Sequence, residues 1–139
     1  MPARHCRMMD LMEPSEPSEV VRALWNRIQD RDWVGVGELV AEHAVIDWPA
    51  SRERITGRGN FVAVNREYPE GWSIHVLRVV AEDDQVVSEV EVPHSGLGTF
   101  RVASFWTVME NRIVRGTEYW TTLGADEAPQ WRSRYVERY

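Results

Sequence analysis

Residues 111–122 read NRIVRGTEYWTT. As a strand, this run places Val114, Gly116, Glu118 and Trp120 on one face, with Ile113, Arg115, Thr117, Tyr119 and Thr121 on the other. Glutamate is a poor strand former, yet Glu118 stands between a glycine and a tryptophan. It is either a solvated surface charge or an acid held inside an aromatic cavity.

Working outward, TFRVASFWTVM (99–109) precedes this run, and Glu110-Asn111 joins the two. Asn111 can take the left-handed conformation that a tight hairpin wants. On the earlier strand Phe100, Val102, Ser104 and Trp106 share one face, and Arg101, Ala103, Phe105 and Thr107 the other; sequence leaves open which is inside. WSIHVLRVVA and QVVSEVEVP flank an EDDQ turn and form a second hairpin, joined to the first by HSGLG. Upstream, EPSEPSE reads as a helix start. Val20, Val21, Leu24, Trp25 and Ile28 then recur as one helical stripe. A shorter helix follows over RDWVGVGELVAEH, weakened by Gly35 and Gly37. AVIDWP is a short strand closed by Pro49, ASRER a turn and RITG the return strand. RGNFVAVNREYP is a helix with Phe61, Val64 and Tyr68 on one side, stopped by Pro69. Near the C-terminus Trp131, Tyr135 and Tyr139, four apart, predict a short amphipathic tail helix. Helices segregated from an unbroken four-strand meander give an α+β domain, a curved antiparallel sheet folded around a helix. The expected division is a flexible tail at 1–14, the domain at 15–124 and the tail helix at 125–139.

The 139 residues suffice for one domain and one core. A hydrophobic content of 43% and a charged content of 27% describe a soluble globular protein. The net charge of −6 and pI near 5.2 supply no basic footprint for nucleic acid. The single cysteine, Cys6, rules out a disulfide within the chain, so a reducing, cytoplasmic location is expected. No apolar run approaches the roughly 20 residues of a membrane span, and MPARHCRMMDLME lacks the apolar core of a secretory signal.

VIDWPASRERITGRGNFVAV, the meander, and NRIVRGTEYWTT together resemble the SnoaL-like branch of the nuclear-transport-factor-2-like superfamily. The last stretch is similar to that branch's G-K-I-x-x-x-x-E-Y-[FW] ending, with Asn111-Arg112 in place of Gly-Lys. The resemblance spans about residues 18–122. It implies a cone: a curved antiparallel sheet wrapped around helices, an internal pocket and homodimerisation through the sheet's outer face. The superfamily includes ketosteroid isomerases, polyketide cyclases and epoxide hydrolases as well as non-enzymes, so fold alone does not choose a function.

In limonene-epoxide-hydrolase-like members, an acid in the last strand's R-D-Y-F carries catalysis inside the cone. The resemblance aligns Glu118 of TEYW with it; the competing placement is a pair with Arg101 or a position at the dimer face. Asp47 is the second acid. Ketosteroid isomerases place their base immediately before the proline, where Trp48 stands, but the epoxide hydrolases place a pocket asparagine where Asp47 is. Two carboxylates in an apolar cavity would separate their pKa values into base and donor, as they do in ketosteroid isomerases. Departures are equally plain. The epoxide hydrolases' Arg-x-Asp is missing from VSEVEVP, where Glu89 and Glu91 are expected outward. Thr121 stands where cyclases commonly carry an aspartate. Trp48, Trp106, Trp120 and Tyr119 are the candidate cavity walls, favouring an apolar, flat or cyclic small-molecule ligand. His94, near a rim, is a candidate proton shuttle or an exposed loop residue. No two histidines have ligand spacing, so no metal is expected, and no phosphate loop or nucleophile elbow suggests a cofactor. The expected function is that of a SnoaL-like pocket protein, an isomerase, cyclase or epoxide hydrolase using Glu118 and Asp47. The alternative is a non-catalytic ligand-binding or dimerising module.

Overall fold

The structure, a computed structural model, describes residues 13–139. Cys6 and residues 1–12 of the expected tail lie outside the described residues. Helix α1 (Pro17–Gln29) and the short α2 (Trp33–Glu38) lead into β1 (Val40–Trp48) and β2 (Glu53–Thr56). Helix α3 (Arg58–Arg66) follows, then β3 (His75–Glu82), β4 (Gln85–His94), β5 (Gly98–Met109) and β6 (Arg112–Thr122). The six strands form one open, curved sheet in the order β2-β1-β6-β5-β4-β3. The architecture is therefore the α+β cone. Neighbours are antiparallel except β1 and β6, which run parallel because the meander returns β6 alongside the first strand.

Helix α1 is held by packing rather than by a cap. Its N-cap Glu16 makes no side-chain hydrogen bond, but Val20, Val21, Leu24, Trp25 and Ile28 are buried against the sheet. Each contributes roughly 1.5–3 kcal/mol, against about 1 kcal/mol for a missing cap. The cone's inner wall supplies Ile46, Val90, Val102 and Trp106 to the same core. Trp25 and Trp106 meet edge to face at 6.2 Å, and both indole N–H groups donate to Ser88 Oγ at 3.1 and 3.0 Å.

Two elements differ from the sequence expectation. Strand β1 starts at Val40 rather than Ala44, because the glycine-weakened α2 stops at Glu38 and Ile113 N–H donates to the Leu39 carbonyl at 2.8 Å. The C-terminal segment is a 3₁₀ turn over Gln130–Tyr135, and Trp131 and Tyr135 stay largely exposed. With three residues per turn, a four-residue aromatic spacing does not make one stripe.

Strand β6 carries a bulge that sets its faces. Val108 pairs with Ile113, but the next residue back, Thr107, pairs with Arg115, leaving Val114 as the extra residue. Both Ile113 and Gly116 are consequently buried, and Val114 is not part of the Gly116–Glu118–Trp120 face as strict alternation predicts. Gly116 lies opposite Trp106, and a Cβ there would sit 2.7 Å from two ring carbons of that tryptophan. Gly116→Ala is therefore expected to destabilise the chain by about 1–3 kcal/mol through overpacking. Urea denaturation checks this, and an unchanged midpoint would contradict the contact.

Candidate functional site

The bulge determines what stands beside Glu118. Counting outward from the Glu110-Asn111 turn, where both residues have positive φ, would pair Glu118 with Ala103. The extra residue moves it opposite Ser104, which in turn lies opposite Ser88 on β4. Three polar side chains thus form a row across the inner face. Ser88 and Ser104 are fully buried and Glu118 is 4% exposed.

Glu118 is held by two neutral donors. Ser104 Oγ–H donates to Oε2 at 2.8 Å, and the Trp48 indole N–H donates to Oε1 at 3.1 Å. Among the described residues no arginine or histidine forms a salt bridge with it. Arg101, the alternative partner in sequence, is on the outer face with Glu91 and Glu89 at 3.1 and 3.8 Å. Burial pushes the Glu118 carboxyl above the ordinary glutamate range, and the bonds from Trp48 and Ser104 offset only part of that rise.

Glu118 opens onto a cavity of about 490 Å³ between α3 and the inner ends of β1 and β6. Trp48, Trp120, Tyr68, Val64 and Pro69 form its apolar walls, and the β1–β2 turn with Ala50 and Ser51 contributes to its lining. That volume suits a drug-sized ligand. Tyr68 is braced by Trp72, stacked at 6.3 Å, by His94 at 5.6 Å, and by Trp120, nearly perpendicular at 6.1 Å. Burial raises the Tyr68 hydroxyl above the usual tyrosine range, so it stays a neutral donor.

Of the residues singled out in sequence, Glu118, Trp48 and Trp120 come together at this cavity. Four others do not. Asp47 alternates with the inward Ile46 and Trp48, so it lies on the outer side of β1. There Arg54 holds it through two hydrogen bonds at 2.6 and 3.1 Å, with Arg115 at 3.6 Å. Arg54, joined by Arg115, keeps its carboxyl below the usual aspartate range, which replaces the expected two-carboxylate pocket with a single buried acid. Tyr119 is also outward, 43% exposed and edge to face with Phe105 at 6.1 Å. Trp106 is core, its ring across Gly116 and its N–H committed to Ser88.

His94 is buried rather than exposed. Its Nδ1 accepts from Gly96 N–H at 3.0 Å, which leaves Nε2–H to donate to the Pro69 carbonyl at 2.9 Å. Both nitrogens are occupied, so the ring fastens the loop behind Tyr68 and has no free site for proton transfer. Tyr68 and Ser104 were not among the sequence candidates. Tyr68 was legible only as the last apolar position before Pro69, and Ser104 required knowledge of the bulge. Among the described residues no cluster of three or more His, Cys, Asp or Glu side chains could hold a metal ion. Nor is any helix there long and apolar enough to cross a membrane.

An open, curved sheet folded around helices is the fold of the nuclear-transport-factor-2-like class. The chain belongs to the SnoaL-like domain family, whose model matches residues 21–116. It is 28% identical to a Kribbella flavida protein provisionally assigned as a ketosteroid isomerase, over 88% of this chain and 89% of that one, with a TM-score of 0.81. A Burkholderia xenovorans nuclear-transport-factor-2-like protein of unknown function is 26% identical over 88% of this chain and 94% of that one, with a TM-score of 0.73. An M. tuberculosis LEH-like epoxide hydrolase, 22% identical over 79% and 86% of the two chains with a TM-score of 0.66, shares the fold. No curated protein matches this chain.

The raised Glu118 pKa links to stability. The folded chain keeps this proton to higher pH than the unfolded chain, where glutamate titrates near about 4.3. Its contribution to stability is therefore lost as pH rises from that value through the raised one. Glu118→Gln removes this dependence, so the stability of the variant relative to wild type should grow across that interval. Denaturation at several pH values measures it; a difference that stays flat or shrinks would show an ordinary or lowered carboxyl.

Proposed function

We propose that the cavity binds an apolar cyclic small molecule and that Glu118 exchanges a proton with it. The observation that carries this reading is a buried carboxyl, open to an apolar cavity, with only neutral donors among the described residues. A desolvated acid of raised pKa holds its proton to higher pH than an ordinary glutamate, which suits it to proton transfer. Tyr68 lines the same cavity, and in this reading its neutral hydroxyl donates to an oxygen that gains charge as the proton moves. Isomerisation or cyclisation beside a carbonyl, or epoxide opening, uses these two parts. The Kribbella protein, provisionally assigned as a ketosteroid isomerase, and the M. tuberculosis epoxide hydrolase favour the first and last of these reactions.

A turnover screen over cyclic ketones and epoxides tests this. On any substrate found, Glu118→Gln should lower kcat by about 10²–10⁴-fold while ligand binding persists. Turnover that survives the substitution would remove the acid/base role. A second reading, a non-catalytic ligand-binding module, is favoured by the outward position of Asp47, which leaves Glu118 as the one buried carboxyl among the described residues, the other lining glutamate, Glu67, being exposed and paired with Arg66. That reading predicts saturable binding with no turnover.

The outer sheet face is the proposed homodimer surface. Val80, Val87 and Phe105 lie in one cross-strand row, 61%, 36% and 49% exposed, and Tyr119 packs on Phe105. Ion pairs such as Arg78–Glu89, at 2.8 Å, flank the row. Phe105→Arg should shift sedimentation from dimer to monomer; a wild-type chain that sediments as a monomer would contradict this surface. A reducing, cytoplasmic setting suits the chain's single cysteine.

A further inference from the structure

We propose that the ligand of this cavity is an organic cation, an alkylammonium, held by Glu118 and surrounded by Trp48, Trp120 and Tyr68. This inference rests on the reading of the cavity as a small-molecule site and names the class of molecule that fits it.

Three observations lead there. Each Glu118 oxygen accepts a single hydrogen bond, from Trp48 or from Ser104, so the carboxylate keeps unused acceptor capacity. No cationic side chain among the described residues pairs with it, although every other buried or half-buried carboxylate on the sheet, Asp47, Glu89 and Glu91, has its arginine. A buried charge without a counter-ion is costly, and a positively charged ligand supplies the missing partner.

The walls are the second part. Trp48, Trp120 and Tyr68 line the same cavity as the acid. The Tyr68 and Trp120 rings stand 83° apart, edge to face at 6.1 Å. Aromatic faces attract a cation through the ring quadrupole, most strongly where water is excluded. Aromatic walls closed by a carboxylate discriminate against anions, and they favour alkylammonium over a neutral molecule of the same shape.

The third part is chemical consistency. An ammonium beside Glu118 keeps the carboxylate ionised, the form that removes a proton. The chain's net charge of −6 also favours the approach of a cation.

Isothermal titration of the full chain with choline and with 3,3-dimethylbutan-1-ol, its neutral isostere, tests the inference at pH 7. The wild-type chain should bind choline at least about tenfold more tightly, and Glu118→Gln should abolish that preference. Equal or tighter binding of the alcohol by wild type overturns the cation and leaves the cavity as a site for neutral ligands. A choline preference that persists in Glu118→Gln overturns the carboxylate as counter-ion. Binding of neither probe overturns the inference, while the ketone and epoxide turnover screen decides the acid/base reading separately.

Discussion

A buried carboxyl group in the middle of a sheet, without a cationic partner among the described residues, is the constraint on which the rest of this structure depends. Glu118 is tolerable there because the register places Ser104 directly opposite and the parallel strand β1 brings the Trp48 indole within 3.1 Å. Removing either donor would leave an acceptor deeply buried and unpaired, which typically costs about 1–3 kcal/mol. Both donors are neutral, so they make burial bearable without fixing the charge. The acid therefore stays responsive to whatever enters the cavity, whereas Asp47, clamped by Arg54 and Arg115, is committed to the ionised form.

The packing around the cavity serves this arrangement. Trp106 fills the core behind Gly116, and its 2.7 Å approach to the position of a Cβ makes any side chain two before the acid overpack the core. His94 ties Pro69 to Gly96, and its ring, with Trp72, braces Tyr68 from behind. The cavity wall is thus built from rings whose own positions are fixed by further contacts, a preorganised arrangement in which little ordering remains to be done when a ligand binds.

Much of the fold was legible in the sequence. The α1 stripe, the two hairpins and the turn at Asn111 follow from periodicity and turn chemistry, because each is a local pattern with one stable solution. The family resemblance supplied the cone. What local pattern could not supply was register. Strict alternation correctly groups Gly116, Glu118 and Trp120, but it assigns Val114 to them and Ala103 to Glu118. One bulged residue changes both, and with them the identity of the acid's hydrogen-bond partner. Asp47 differs for the complementary reason: its position before Pro49 suggested a pocket, while the pleat of β1 turns it outward to Arg54 on the paired strand β2 and to the sequence-distant Arg115. Tyr119 and Trp106 show the same limit, since an aromatic on a strand is equally compatible with core, cavity and outer face until the curvature of the sheet is known. The tail aromatics were spaced for an α-helix that the chain does not form.

The most direct measurement of the central claim is an NMR pH titration of the Glu118 side-chain carboxyl, assigned by comparison with Glu118→Gln. A midpoint well above the ordinary glutamate value of about 4.3 is the predicted result, because the carboxyl is buried and, among the described residues, only neutral donors hold it. A midpoint at or below that value would contradict the account, showing that water or a cation reaches the acid and that the cavity does not hold a desolvated proton-transfer group.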